Sequence, residues 1–202
     1  MINASLFNTV TPNAKLAMVG NRIGNPGLKN NQGSSVELYD YVEPNAIGSR
    51  ETIRFFESVN TKTFPFTNLQ QNQLQVGEAL SIQYIAFTKL SVNANGEVVN
   101  QDQFSVACSG LLLSQFSLLL DNSRILKINS LTRANSLFNP KGGTFNNFLF
   151  YPDTDLVIPP QITFTAELNI PANTDTAAQG TTVYYGCHLF GTGAILNLKT
   201  NV

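Results

Sequence analysis

Pro159-Pro160-Gln161-Ile162-Thr163-Phe164-Thr165-Ala166-Glu167-Leu168-Asn169-Ile170-Pro171 is the stretch from which the fold of this chain is read. From Gln161 to Ile170 every even position is apolar and every odd one polar. A period of two places Ile162, Phe164, Ala166, Leu168 and Ile170 on one face of a strand and leaves the other face to water. Proline has no N–H to give a sheet ladder, so the flanking prolines mark where that strand starts and stops.

Outward from this stretch the chain reads as β almost throughout. Towards the C-terminus the pattern predicts strands over 181–190 and 194–198, turned at Gly191-Thr192-Gly193. Upstream, residues 115–120 and 124–128 read as a hairpin around Asp121-Asn122-Ser123, and 111–113 is the one place for a short helix. Residues 79–92 form a long strand whose apolar phase slips: Leu80, Ile82 and Tyr84, then Ile85 and Phe87, then Leu90 and Val92. Such a slip predicts a bulge, or a bend where the strand leaves one sheet for another. Asn93-Ala94-Asn95-Gly96 supplies the turn that follows it. Shorter strands are expected over 36–42 and 51–59, divided by Glu43-Pro44-Asn45 and Gly48-Ser49. Residues 148–151 are a brief apolar run, and Asn139-Pro140-Lys141-Gly142-Gly143 is a loop. About eight to ten strands with almost no helical periodicity predict an all-β, antiparallel β-sandwich, with a jelly roll suiting the strand number.

Composition narrows the function more by exclusion than by pointing. Charged residues are 12% of the 202, about half the usual share, and the net charge is −1. Weak self-repulsion suits a surface covered by neighbours, although a secreted or bacterial β domain with polar loops would look similar. No basic excess exists to neutralise a phosphate backbone. No apolar run is long enough to span a membrane, since residues 111–120 are broken by Ser114, Gln115 and Ser117. The opening Met1-Ile2-Asn3-Ala4-Ser5-Leu6-Phe7 lacks the features of a signal peptide, so Cys108 and Cys187 are expected as free thiols. Residues 1–35, rich in Asn and Gly, read as a flexible N-terminal arm carrying only Lys15, Arg22 and Lys29. Such an arm is a plain tail, or one that orders on a neighbouring subunit or touches packaged nucleic acid. Residues 36–202 form the single β domain.

Candidate chemistry is sparse. The chain has one histidine, His188, next to Cys187; on a strand the two point to opposite faces and cannot share an ion. Parity makes Cys187 a core thiol and His188 a packed or surface imidazole. A Ser-His-Asp triad with His188 as base is formally possible, but no G-x-S-x-G elbow occurs and no serine stands out. Asp153 and Asp155 could join a calcium site, yet a solvated turn is the better reading without a third acid. Gly191-Thr192-Gly193 lacks the third glycine of a dinucleotide site, and Lys141-Gly142-Gly143-Thr144 has phosphate-loop residues in the wrong order. No catalytic, cofactor-binding or metal residue is therefore assigned, and the chain is expected not to be an enzyme. With 14 Phe, 6 Tyr and no Trp, a sugar platform would have to use Tyr39 and Tyr41, or Tyr84, Tyr151, Tyr184 and Tyr185.

Four features of the layout carry a resemblance. These are the Asn/Gly-rich arm; Ile53-Arg54-Phe55-Phe56 before Thr67-Asn68-Leu69, with Gly77-Glu78-Ala79-Leu80 opening a long strand; the hairpin of 116–128 turning at Asp121-Asn122; and Val157-Ile158-Pro159-Pro160 leading into 162–170. Together they resemble jelly-roll virion structural proteins of the capsid type, those of bacteriophages in particular. The resemblance implies a single jelly roll that binds copies of itself and other virion proteins, needs no cofactor or small-molecule substrate, and ends in a virion assembled in the host cytoplasm. Capsid, vertex and decoration roles are all open. The alternative is a carbohydrate-binding or host-attachment sandwich of lectin or fibre-tip type; a hydrolase using His188 comes third.

Overall fold

Phe164, Ala166, Leu168 and Ile170 are buried, and the residues between them are half-exposed, in the strand Phe164–Ile170. This strand is the ninth of ten in a computed structural model that describes residues 33–44, 51–75, 78–103, 114–128, 149–150, 152, 154, 156–170 and 180–195. In chain order the strands are β1 (Gly33–Val42), β2 (Glu51–Phe55), β3 (Glu78–Asn93), β4 (Val98–Gln103), β5 (Gln115–Leu120), β6 (Ser123–Ile128), β7 (Leu149–Phe150), β8 (Leu156–Ile158), β9 (Phe164–Ile170) and β10 (Thr181–Ile195). A single 3-10 turn, Val59–Thr61, is the helical element among the described residues. Among the described residues no helix is long and apolar enough to cross a membrane.

The fold is all-β, and every pairing between named strands is antiparallel. One sheet runs β1-β10-β3, with β8, β7 and β4 following one another along the far side of β3. The other runs β2-β9-β5-β6. Both sheets contribute to one apolar core: Ile53, Phe55, Phe116, Leu118, Phe164 and Leu168 from the second meet Leu38, Leu80, Ile85, Phe87, Tyr185 and Leu189 from the first. Phe87 and Phe116 join the layers edge to face, their centroids 5.3 Å apart.

The phase slip in β3 is a bulge. Tyr84 pairs with Phe190 and Ile82 with Gly191, leaving Gln83 as the extra residue. Before it Leu80 and Ile82 face the core; after it Ile85 and Phe87 do. Leu90 and Val92 consequently lie on the opposite, outer face, where they pack with Tyr41. The strand does not change sheet, as β10 accompanies it from Glu78 to Asn93.

Other expectations are corrected. Gly191-Thr192-Gly193 is not a turn, because β10 runs on to Ile195 between β1 and β3. Its glycines answer to crowding: a Cβ on Gly191 would stand 1.9 Å from the Ser81 carbonyl oxygen, and one on Gly193 2.4 Å from Val36 Cγ2. Ile162 does not join the buried face of β9 and is 36% exposed. The chain turns at Gln161 (φ 59), whose N–H goes to the Leu74 carbonyl, and so carries β8 in one sheet over to β9 in the other. The strand expected over 51–59 ends at Phe55, since Phe56 takes a left-handed backbone (φ 67). β1 begins at Gly33, three residues inside the expected arm. The two hairpins form as read. Asp121 and Asn122 both have positive φ (44 and 61), the two-residue turn that matches strand twist. Asn93 Oδ1 accepts the N–H groups of Asn95 and Glu97, with Gly96 at φ 82. The rest of the arm, the helix at 111–113, Cys108, Asn139 to Gly143, Tyr151, Asp153, Asp155 and residues 196–198 lie outside the described residues.

Candidate functional site

The chemistry-bearing side chains gather on and beneath β1. Its sequence alternates, with Leu38, Asp40 and Val42 turned to the core side and Glu37, Tyr39 and Tyr41 turned outward. An acid at an apolar position demands partners, and Asp40 has them although its side chain is wholly buried. Lys62 Nζ lies 2.8 and 2.9 Å from its two oxygens, and the Phe56 N–H donates to Oδ2 at 2.8 Å. Burial pushes the Asp40 carboxyl above its ordinary range, opposed by Lys62 and by the Phe56 N–H. The same ammonium donates to the Tyr41 carbonyl at 2.9 Å.

The outer edge of β1 is closed by the segment that follows Lys62. Phe66 O accepts the Tyr41 N–H, Thr67 Oγ1 donates to Tyr39 O, and Asn68 takes the Tyr39 N–H while donating to Glu37 O. A loop thus occupies the place where another strand could pair.

On the outer face stands His188, 6% exposed. Its Nδ1 is 2.6 Å from Glu37 Oε1; its Nε2 is 2.6 Å from Thr88 Oγ1 and 3.2 Å from Tyr41 Oη, which are themselves 3.0 Å apart. A carboxylate only accepts, so Nδ1 carries the proton in the neutral ring, and Nε2 is the acceptor facing the Thr88–Tyr41 hydroxyl pair. Burial lowers the His188 pKa from 6.5, and Glu37 opposes the shift. The groups facing the ring are Glu37, Tyr39 and Tyr41 from β1 and Thr88 from β3, with Phe190 beside it on its own strand. The native ring is thus held neutral. That contribution to stability is present above about pH 6.5 and is lost as pH falls through the lower folded value, with a slope of at most about 1.4 kcal/mol per pH unit. Urea unfolding of the wild type between about pH 7 and pH 5 should show this slope, and His188→Gln should flatten it.

Acid, imidazole and hydroxyl in a row is the order of a hydrolase relay, and sequence reasoning missed both Glu37 and Thr88. The setting differs from an acyl-transfer site. These residues sit within three hydrogen-bonded strands, whose N–H groups lie in the sheet plane and are spent on neighbours, whereas an oxyanion needs donors aimed out of it. Thr88 Oγ1 is shared between His188 and Tyr41. The row works as a polar clamp across β1, β10 and β3.

Aromatic rings extend the clamp. Tyr84 and Phe190 stack at 4.6 Å and 18°, Phe190 and His188 at 6.0 Å and 12°, and His188 and Tyr39 at 5.6 Å and 26°. Rings stacked on one another spend faces on each other, whereas a sugar platform needs bare faces. Of the tyrosines considered for such a platform, Tyr185 is a core residue, Tyr41 is buried, and Tyr39, Tyr84 and Tyr184 are half-buried on this face. Cys187 is a free, fully buried thiol, pushed well above its usual pKa by burial and then by the Asp40 charge, so it is held as the unreactive thiol. No family model matches this chain, and a search of curated proteins finds no match for it.

Proposed function

We propose that this chain is a virion structural subunit, of capsid, vertex or decoration type, built as a single jelly roll and working by association with copies of itself. The observation that carries the reading is the nesting of the strand pairs. β1 pairs β10, β2 pairs β9 and β3 pairs β8, all around the inner hairpin β5–β6. One long hairpin wound over itself into two sheets is the jelly-roll plan, used in viral shells, lectins and cupins. Fold alone does not choose among these. The scarcity of charge favours surfaces that meet one another, and the stacking of the outer-face rings on one another weighs against a sugar platform there.

Light scattering behind size exclusion, with negative-stain electron microscopy, tests the reading. Symmetric oligomers or shell fragments are expected. A chain that stays monomeric at the highest attainable concentration overturns it.

A further inference from the structure

The outer edge of β1 is held by side chains more than by backbone. The Tyr41 N–H donates to Phe66 O at 2.8 Å as in a paired strand, but the Tyr39 N–H goes to Asn68 Oδ1 at 3.0 Å. The carbonyls of Tyr39 and Glu37 accept from the Thr67 hydroxyl and the Asn68 amide. Three of these four bonds end on a side chain of the covering segment, so the segment imitates a strand without forming a ladder. Two of the three belong to Asn68, which is exposed, and water competes for both.

This segment is fixed at its ends and lightly held between them. At its start Lys62 Nζ grips the Asp40 carboxylate and the Tyr41 carbonyl. At its finish Asn72 O accepts the Phe164 N–H, Leu74 O accepts the Gln161 N–H, and the Leu74 side chain is in the core. From Thr63 to Gln71, Thr67 is the one buried residue. Phe66 leans on Tyr184, its ring centre 4.8 Å away, and Leu69 on the rim of the core, both half-buried. The Phe66 N–H bonds Thr63 O and the Leu69 N–H bonds Thr67 Oγ1, so the stretch carries turns of its own that survive if it moves as a body. Few buried apolar groups and solvent-facing hydrogen bonds mark a unit that opens at less cost than the whole fold.

We propose that residues 63–71 are a flap, hinged at Lys62 and Asn72, that lifts off β1 while β1 stays paired to β10. Lifting uncovers the Tyr39 and Tyr41 N–H groups and the Glu37 and Tyr39 carbonyls, the bonding row of a sheet edge; closing conceals it. The ladder behind it is independent of the flap, since β1 pairs β10 along its whole length from Gly33 to Val42. The flap therefore controls whether this edge is open to pairing. It is a property of one chain, and it stands or falls separately from the assembly reading.

Amide hydrogen exchange on the full chain, read residue by residue by NMR, tests the proposal. Successive N–H groups of a strand point to opposite edges, so Tyr39 and Tyr41 report the flap while Leu38 and Asp40 report the β10 ladder. Sub-denaturing urea should quicken exchange at Leu38 and Asp40 and leave Tyr39 and Tyr41 unchanged, because lifting a short flap exposes little surface. Gly96→Ala, in the distant β3–β4 turn, should quicken Leu38 and Asp40 roughly tenfold through its strained backbone and again leave the flap pair unchanged. Asn68→Ala, which deletes two of the bonds that close the flap, should quicken Tyr39 and Tyr41 about tenfold. If all four amides respond alike to urea and to Gly96→Ala, the edge opens only when the molecule unfolds and the flap is refuted. If Asn68→Ala leaves Tyr39 at the wild-type rate, residues 63–71 are not what covers it, and the proposal also fails.

Discussion

Asp40→Ala should destabilise the fold by about 3–5 kcal/mol, the cost of breaking a buried ion pair by removing one partner. Two groups lose their acceptor together. The Lys62 ammonium, 20% exposed at its side chain, keeps the Tyr41 carbonyl and some water. The Phe56 N–H has no such recourse: Phe56 is itself buried, and its left-handed backbone holds the N–H towards β1. An orphaned buried donor costs about 1–3 kcal/mol by itself. Lys62→Met, which leaves a buried carboxylate with backbone N–H groups and no counter-charge, should be comparably damaging. Combining Asp40→Leu with Lys62→Met should recover much of the loss, as replacing both partners by apolar groups commonly does. Urea midpoints for the three variants decide the point. A loss below about 1 kcal/mol for Asp40→Ala would show that the pair is not structural.

Gly191→Ala should cost about 3 kcal/mol, the top of the usual range for forced overpacking. The new methyl would meet the Ser81 carbonyl oxygen at 1.9 Å, and backbone, unlike a side-chain tip, cannot rotate away. Relief requires parting β10 from β3 next to the Gln83 bulge, so amide exchange should quicken along both strands. Gly96→Ala is the control. That glycine has open space around it and a φ of 82, so its cost is the left-handed backbone alone, about 1–2 kcal/mol. Equal losses at the two positions would refute the close-approach argument.

These two sites show where sequence was informative. The alternation of β9, the Asp121-Asn122 turn and the phase slip of β3 are local patterns, and local patterns are visible in one dimension. Gly191-Thr192-Gly193 misled because a glycine needed for tight packing and a glycine needed for a turn are the same letter. Ile162 misled because the alternation continues through Gln161, whose backbone turns the chain. The Asp40 cluster left a trace, since an acid shares parity with Val36, Leu38 and Val42. The Glu37–His188–Thr88 row left none. Its members come from three strands, Glu37 and His188 being 151 residues apart, and only pairing brings them together.

The place of β10 has a consequence for how the molecule is made. It lies between β1 and β3, yet it is the last described strand in chain order. Until the ribosome has released it, β1 has no strand to pair with among the described residues, and the flank of β3 that β10 will cover is unpaired. The nascent chain must therefore hold its first strands apart from those of other polysomes and complete the larger sheet late, in the slow regime of folds dominated by distant contacts. Translation arrested before Gly180 should yield a chain that binds chaperones and precipitates, whereas one extended past Ile195 and freed from the tunnel should resist protease.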